Sequence, residues 1–147
     1  MIAIGSDHGG FELKGHIIEH LKEKGIEVKD FGTYSEASVD YPDCAKPVCK
    51  AVLDGECECG ILICGTGIGI SIAANKVKGA YAACIHDVYQ AQRAQLSNHA
   101  NIITMGSQVI GIELAKQLVK EYLSVEWDPN CRSVAKVQRI IDFENEE

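Results

Sequence analysis

The sequence predicts an α/β protein: a three-layer α/β/α sandwich around a five-stranded parallel sheet, with an extra C-terminal helix. Two observations support this prediction. Short apolar runs alternate with amphipathic helical patterns, and this unit repeats five times along the 147 residues. The run GILIC, at 60–64, is apolar on both faces, which is typical of an interior strand that helices cover on both sides.

The first half of the chain contains three predicted strands, IAIGS at 2–6, IEVKDF at 26–31 and GILIC. Two helical patterns separate them, and each is followed by a glycine, Gly25 or Gly55, that can end the helix in a left-handed cap. The apolar faces of the two helices are formed by Phe11, Ile17, Ile18 and Leu21 and by Ala45, Val48, Cys49, Val52 and Leu53.

The second half contains the remaining strands, AYAACI at 80–85 and NIITM at 101–105. A helix starts at about Val88, and the next helix has an apolar face formed by Ile112, Ala115, Leu118, Val119 and Tyr122. After Pro129 a last helix begins, and because no strand follows, it can pack elsewhere, including on a second subunit. Its apolar side has Val134, Val137 and Ile141, and its basic side has Arg132, Lys136 and Arg139.

Length and charge restrict the function classes. With 147 residues, 46% of them hydrophobic, the chain is too short for two ordinary domains, so we expect one domain over 1–147. The formal charge of −7 argues against a broad basic face for nucleic acid or an anionic membrane. No apolar stretch approaches the ~20 residues that cross a bilayer. The start of the chain has no leader pattern, so we expect a cytoplasmic protein.

Seven cysteines are spread over predicted helices, strands and loops. An odd number of cysteines without a secretion signal is typical of reduced thiols rather than of a disulfide framework. Cys57 and Cys59 have no second pair at zinc-like spacing, so we predict no metal site. Most of the seven are interpreted as small buried hydrophobes.

Two strand ends carry residues of unusual chemistry, GSDHGG at 5–10 and CGTGIG at 64–69. In an open parallel sheet, ligands bind beyond the carboxyl ends of the strands. Gly65, Gly67 and Gly69 leave backbone N–H groups uncovered at the start of a helix, where an oxyanion can bind. Tight packing between strand and helix is also a sufficient reason for these glycines.

Cys64 lies at the mouth of this glycine loop. A helix amino terminus favours the thiolate form of a cysteine, and Thr66 can add a hydrogen bond, so the sulfur is a candidate base or nucleophile. The alternative is an unreactive buried cysteine at a strand end. Asp7 can likewise simply cap the first helix, whereas a cap does not explain His8 beside two glycines.

The segments GSDHGGFELK, DFGTYS, DYPDCA, GILICGTGIGISIAANK and NHANIITMGS resemble the type B ribose-5-phosphate isomerases. That family includes allose-6-phosphate and galactose-6-phosphate isomerases, and the resemblance covers nearly the whole chain. It implies a Rossmann-like sheet and isomerisation of ribose 5-phosphate to ribulose 5-phosphate, a step of the pentose phosphate pathway, without metal or other cofactor. It also implies a homodimer, in some members paired into a tetramer, with active sites shared between subunits.

The resemblance implies roles for the candidate site residues. The cysteine that matches Cys64 is the base that moves a proton between C1 and C2 of the sugar. The backbone that stabilises the enediolate is formed by Gly65, Thr66, Gly67, Ile68 and Gly69. The positions that line the sugar and the phosphate are matched by Asp7, His8 and Tyr41. The positions that the neighbouring subunit contributes to the site match Asn98, Arg132 and Lys136, and the last two of these bind the phosphate.

The residues fit this chemistry. Removing a proton beside a carbonyl creates a negative oxygen, so a base and preorganised N–H donors must converge on adjacent atoms. Cys64 and the glycine loop supply that pair. Arg132 and Lys136, four residues apart, place two positive groups on one helix face for the phosphate.

Three departures from the family pattern affect the site. The usual R-x-H-N-D-x-N is QLSNHAN at 95–101, so the usual ring-opening histidine is Ser97 and the usual aspartate is His99. Serine is a poor acid by itself, so we hypothesise that Asp7 or His99 shares the ring opening with it. Lys136 and Gln108 stand where the family has arginines. Lysine keeps the charge of arginine but lacks its planar fork. These changes affect the geometry of phosphate binding, so five-carbon and six-carbon substrates stay open as alternatives.

Two other functions stay open. A galactose-6-phosphate isomerase subunit would need a different partner chain to be active. A non-catalytic nucleotide- or phosphate-binding module would use the same glycine loop without needing a thiol.

Overall fold

A computed structural model of the chain describes residues 1–146. Its five strands form one sheet in the order β2-β1-β3-β5-β4, and every neighbouring pair is parallel. The predicted parallel sheet is therefore confirmed. The strands are β1 (Ile2–Ser6), β2 (Val28–Asp30), β3 (Cys59–Cys64), β4 (Ala82–Cys84) and β5 (Ile102–Gly106).

Helices cover both faces of this sheet, which confirms the three-layer α/β/α sandwich. The helices are α1 (Phe11–Glu23), α2 (Tyr41–Leu53), α3 (Ile68–Asn75), α4 (Val88–Leu96), α5 (Ile112–Leu123) and α6 (Val134–Glu144). Buried residues of α1, α4 and α5 form one apolar core with the sheet, and those of α2 and α3 form a second core on the opposite face. None of the helices described over 1–146 is both long and apolar enough to cross a bilayer.

The three central strands differ from the two edge strands. Every residue of β1, β3 and β5 is buried, as the two-sided apolar pattern predicts. The edge strands β2 and β4 are only three residues long, shorter than the predicted 26–31 and 80–85. An edge strand has a neighbour on one side only, so apolar sequence alone overestimates how much of it pairs.

The predicted ends of α1 and α2 are confirmed. Gly25 and Gly55 follow these helices with φ angles of +73° and +79°, which are left-handed conformations that favour glycine. After α1, the Ile26 N–H donates to the Leu21 carbonyl at 2.9 Å and closes the helix end.

The last helix begins later than predicted. The Asn130 N–H donates to the Asp128 side chain at 2.8 Å, so a turn occupies the residues after Pro129 and α6 starts only at Val134. The prediction that Arg132 and Lys136 share a helix face is wrong, because Arg132 lies in the turn before the helix. The carboxyl end of α6 packs against the rest of the same chain. There the Glu144 carboxylate accepts hydrogen bonds from the Gly79 N–H and the Tyr81 hydroxyl.

Candidate active site

The loops that follow β1 and β3 meet at the carboxyl edge of the sheet. The chain leaves β1 for α1 on one face and leaves β3 for α3 on the other, which makes this the point where an open α/β sheet binds ligands. The two loops are in contact. The Asp7 N–H donates to the Ile63 carbonyl at 3.2 Å, and a Cβ on Gly10 would lie 2.5 Å from that oxygen.

The glycines after Cys64 are required for different reasons. Gly67 has a φ of +78°, and a Cβ there would lie 2.7 Å from the Met105 carbonyl carbon. A Cβ on Gly69 would lie 2.6 Å from the Tyr41 ring. Packing therefore explains these two glycines. Gly65 differs, because its Cβ would come no closer than 3.6 Å to any atom outside its chain neighbours, the nearest being in the Gln108 side chain.

The backbone of this loop has free hydrogen-bond donors. Within the described residues, the N–H groups of Gly65, Thr66 and Gly69 donate to no atom. They stand at the amino end of α3, where the helix dipole adds partial positive charge. The loop can therefore bind an oxyanion through its backbone.

Cys64 ends β3 as a buried residue with 4% of its surface exposed. Its Sγ accepts a hydrogen bond of 3.1 Å from the Gly67 N–H. The sequence suggested Thr66 as the donor to this sulfur, but the Thr66 hydroxyl instead accepts from the Ile68 N–H at 3.2 Å. A backbone donor aimed at the sulfur stabilises negative charge on it.

Two other cysteines, Cys49 and Cys59, are buried in the two apolar cores. Burial raises the pKa of Cys49 to about 11 and that of Cys59 to about 12, so both thiols stay protonated at neutral pH. The interpretation of most cysteines as inert core residues fits these two thiols. Cys64 is distinguished by its place at the strand end beside free N–H groups.

The structure brings Asp7, His8 and Tyr41 to the same edge as Cys64. The Asp7 carboxylate accepts from the Gly10 N–H at 3.1 Å, so it does cap the short 3-10 turn before α1. His8 is exposed, and its Nδ1 accepts from the Val39 N–H at 3.1 Å, which assigns the ring proton to Nε2. Tyr41 begins α2 with its ring against Gly69.

Two hydroxyl residues that hold this edge together were not among the predicted site residues. The Ser107 N–H donates to the Cys64 carbonyl at 2.9 Å, and its hydroxyl donates to the Gly9 carbonyl at 2.6 Å. The buried Thr104 hydroxyl of β5 donates to the Gly67 carbonyl at 2.8 Å. A threonine inside the otherwise apolar run NIITM was the one signal in the sequence for the second contact.

Four further predicted residues line a separate cavity of about 510 Å³, which we call the cationic cavity. It is lined by Arg93, Ser97, Asn98, Arg132, Ser133, Lys136, Val137 and Ile140. The structure thus brings Ser97, Asn98, Arg132 and Lys136 together, although Arg132 and Lys136 do not share a helix. The residues at the Cys64 edge do not line this cavity.

His99 lies outside the lining of the cationic cavity. Its ring stacks on Trp127 with centroids 4.7 Å apart and planes 1° from parallel, and its backbone φ is +51°. Partial desolvation of the ring lowers the pKa of His99.

Known proteins match this chain over almost its full length. The model of the ribose/galactose isomerase family matches residues 2–140. The chain is 49% identical to ribose-5-phosphate isomerase B of Escherichia coli over 127 residues, 86% of this chain and 85% of that one. It is 44% identical to D-erythrulose-4-phosphate isomerase 2 of Mycolicibacterium smegmatis over 146 residues, 97% of this chain and 96% of that one.

A solved structure agrees with the sequence matches. Ribose-5-phosphate isomerase B of Clostridium thermocellum has the same fold with a TM-score of 0.95 and 48% identity, over 98% of this chain and 97% of that one. The chain therefore belongs to the ribose/galactose isomerase family and is a sugar-phosphate isomerase.

Proposed function

We propose that the protein interconverts ribose 5-phosphate and ribulose 5-phosphate through an enediolate, with Cys64 as the base and Gly65–Gly69 as the oxyanion hole. The observation that carries this proposal is the hydrogen bond from the Gly67 N–H to the Cys64 sulfur, in a loop where the N–H groups of Gly65, Thr66 and Gly69 have no acceptor in the described chain. Base and oxyanion donors stand together, as proton transfer beside a carbonyl requires.

The proposed reaction needs no oxidant or reductant. The Cys64 thiolate removes the proton from C2, the C–H electrons form a double bond between C1 and C2, and the C1 oxygen becomes negative. The free N–H groups of the glycine loop, together with the positive end of α3, stabilise this oxygen. The thiol then returns the proton to C1 while the O2 proton moves to O1, which leaves the ketose.

We further propose that the active form is a homodimer with shared active sites, in which the cationic cavity of one subunit faces the Cys64 edge of the other. The two halves of the predicted site are separate in one chain, and Cys64 alone is nearly covered. Ile68 and Ile72 on α3 are 58% and 57% exposed beside the glycine loop, an apolar surface that a second subunit would bury. Two such dimers would form the tetramer.

The dimer proposal places Asn98, Arg132 and Lys136 on the substrate. Arginine and lysine bind phosphate through charge-assisted hydrogen bonds, so Arg132 and Lys136 hold the phosphate end while Asp7, His8 and Tyr41 contact the sugar. Thr66 presents an exposed side chain at the mouth of the loop. The reduced thiols fit a single cytoplasmic domain acting in the pentose phosphate pathway.

Ring opening is assigned to Ser97 together with Asp7 or His99. Ser97 lines the cationic cavity, and Asp7 has one carboxylate oxygen that is not used in the helix cap. The test uses a cyclic substrate with Ser97→Ala, Asp7→Asn and His99→Ala. Unchanged turnover in all three variants would refute this assignment.

A four-carbon substrate, D-erythrulose 4-phosphate, is the second candidate, and Ser97 favours it. Its aldose product carries the phosphate on O4. A five-membered ring would have to close through that oxygen, so this sugar stays open and needs no ring-opening acid. Serine where the family usually has histidine fits such a substrate, and the relative from Mycolicibacterium smegmatis is named for this activity.

One experiment decides between these functions. Rates of the purified chain are compared on ribose 5-phosphate, D-erythrulose 4-phosphate, allose 6-phosphate and galactose 6-phosphate, with Cys64→Ala and EDTA as controls. The first proposal expects the highest kcat/KM on ribose 5-phosphate, full activity in EDTA and loss of activity in Cys64→Ala. A higher value on D-erythrulose 4-phosphate or on a six-carbon sugar, or binding without turnover on all four, would overturn it.

A further inference from the structure

We propose that Arg93 is a third phosphate-binding residue of the cationic cavity and that Ser97 is the positioning residue that orients it. This inference rests on the proposed function, because it takes the anionic end of the substrate to bind in that cavity. It assigns to Arg93 a role in substrate binding that the family pattern around Arg132 and Lys136 does not include.

The geometry of α4 supports the pairing. Arg93 and Ser97 are four residues apart at the carboxyl end of α4, so their side chains lie on one face. The Arg93 Nε donates to the Ser97 Oγ at 2.6 Å, and both residues line the cationic cavity. Because the Nε is bound to Ser97, the outer guanidinium edge keeps its paired N–H groups for a ligand.

The charges of the cavity favour an anion. Arg93, Arg132 and Lys136 all line it, and none of the lining residues is acidic. Within residues 1–146 none of these three cations lies within 4.0 Å of a carboxylate, as is true of most lysines and arginines of the chain. In a chain with a formal charge of −7, three cations around one cavity with no acidic lining residue form a local positive site.

The amino end of α6 adds to the positive potential of the cationic cavity. Ser133 precedes the 11-residue helix and lines the same cavity, so the positive end of the helix dipole faces the bound anion. Lysine offers the phosphate a point charge, whereas arginine offers two parallel N–H groups in a plane. Arg93 therefore supplies the planar contact that Lys136 cannot.

Inorganic phosphate is the probe for the test, because its binding does not require turnover. Affinity is measured by isothermal titration calorimetry at low salt on the full chain and on Arg93→Gln, Ser97→Ala and Ser97→Thr. The matched control is Arg139→Gln, which removes an exposed cation of α6 that does not line the cavity. Arg93→Gln should weaken phosphate binding about 10-fold or more, as expected for loss of a hydrogen bond to a charged group.

The Ser97 variants separate positioning from direct contact. Ser97→Ala should weaken phosphate binding about 3-fold or more in the otherwise unmodified chain. In the Arg93→Gln background it should have no effect, because the binding effects of two coupled residues do not add. Ser97→Thr keeps a hydroxyl and should restore binding. In turnover, Arg93→Gln should raise KM at least 10-fold with kcat within about 3-fold.

The proposal is overturned if Arg93→Gln binds phosphate as tightly as Arg139→Gln does, or if the unmodified chain does not bind phosphate. Failure of the proposed isomerisation would be recognised separately, as absence of turnover in a chain whose phosphate binding still depends on Arg93.

Discussion

The two halves of the candidate site are built in different ways. The Cys64 edge is formed by buried strand ends and is held by backbone hydrogen bonds, such as those from Ser107 and Gly67. The cationic cavity is formed by long side chains, and Arg132 and Lys136 are exposed in a turn and a helix outside the sheet. Proton transfer requires atoms held at hydrogen-bond distance, whereas charge attraction acts over longer distances.

This difference predicts that substitutions in the two halves of the site affect different measured quantities. Substitutions at the Cys64 edge should lower kcat or stability, whereas substitutions in the cationic cavity should raise KM. Four sets of substitutions test this separation of kcat and stability effects from KM effects.

The largest effect is expected for Cys64→Ala. Without the proposed base, kcat should fall about 10²- to 10⁴-fold, the usual contribution of a positioned acid or base. Cys84→Ala, which changes an exposed cysteine, is the control and should keep full activity. Steady-state kinetics with circular dichroism as a check of folding measures this, and an active Cys64→Ala would contradict it.

A smaller effect, confined to KM, is expected for Lys136→Gln. Loss of one charged hydrogen bond of about 1.5–3 kcal/mol should raise KM roughly 10- to 100-fold and leave kcat nearly unchanged. Lys136→Arg should keep the affinity or improve it, because the guanidinium adds a planar contact. Initial rates over a range of substrate concentrations measure both constants. A fall in kcat as large as the rise in KM would remove the distinction between the two halves.

Thr104→Val should mainly reduce stability. The substitution removes the buried hydrogen bond to the Gly67 carbonyl and should lower the free energy of unfolding by about 1–3 kcal/mol. Because Gly67 donates to the Cys64 sulfur, kcat should fall as well. Urea unfolding of Thr104→Val is compared with that of Thr104→Ser, which keeps the hydroxyl. A midpoint of Thr104→Val equal to that of the unmodified chain would show that the hydrogen bond does not hold the loop.

The smallest effect concerns pH and His99. Desolvation of the ring lowers its pKa in the folded chain, so the unfolded chain binds the proton more readily. Stability should therefore be complete above histidine's ordinary pKa of 6.5 and decline as pH falls from that value towards the folded-state pKa.

Urea midpoints at pH 7.5 and 5.5 measure this decline. His99→Gln should lose less stability between the two pH values than the unmodified chain does. An equal pH dependence in the two proteins would contradict the prediction.

The buried half of the site was largely predictable from the sequence. The apolar pattern of GILIC places Cys64 at the carboxyl end of a central strand, and the glycines after it mark the turn into α3. These features depend on local sequence and on the period of burial, which a sequence displays directly.

The cationic cavity was less predictable. Arg132 and Lys136 were expected on one helix face, but the turn that Asp128 stabilises delays the start of α6. Arg93 gave no signal, because an arginine on an exposed helix pattern is usually solvated. Its contact with Ser97 depends on side-chain conformation, and the cavity depends on how α6 packs beside α4, neither of which a sequence pattern specifies.

Ser107 joins the loops from two different strands with a single residue. Its hydroxyl binds the Gly9 carbonyl and its N–H binds the Cys64 carbonyl, so any movement of the segment around Gly9 is transmitted to the strand end that carries Cys64.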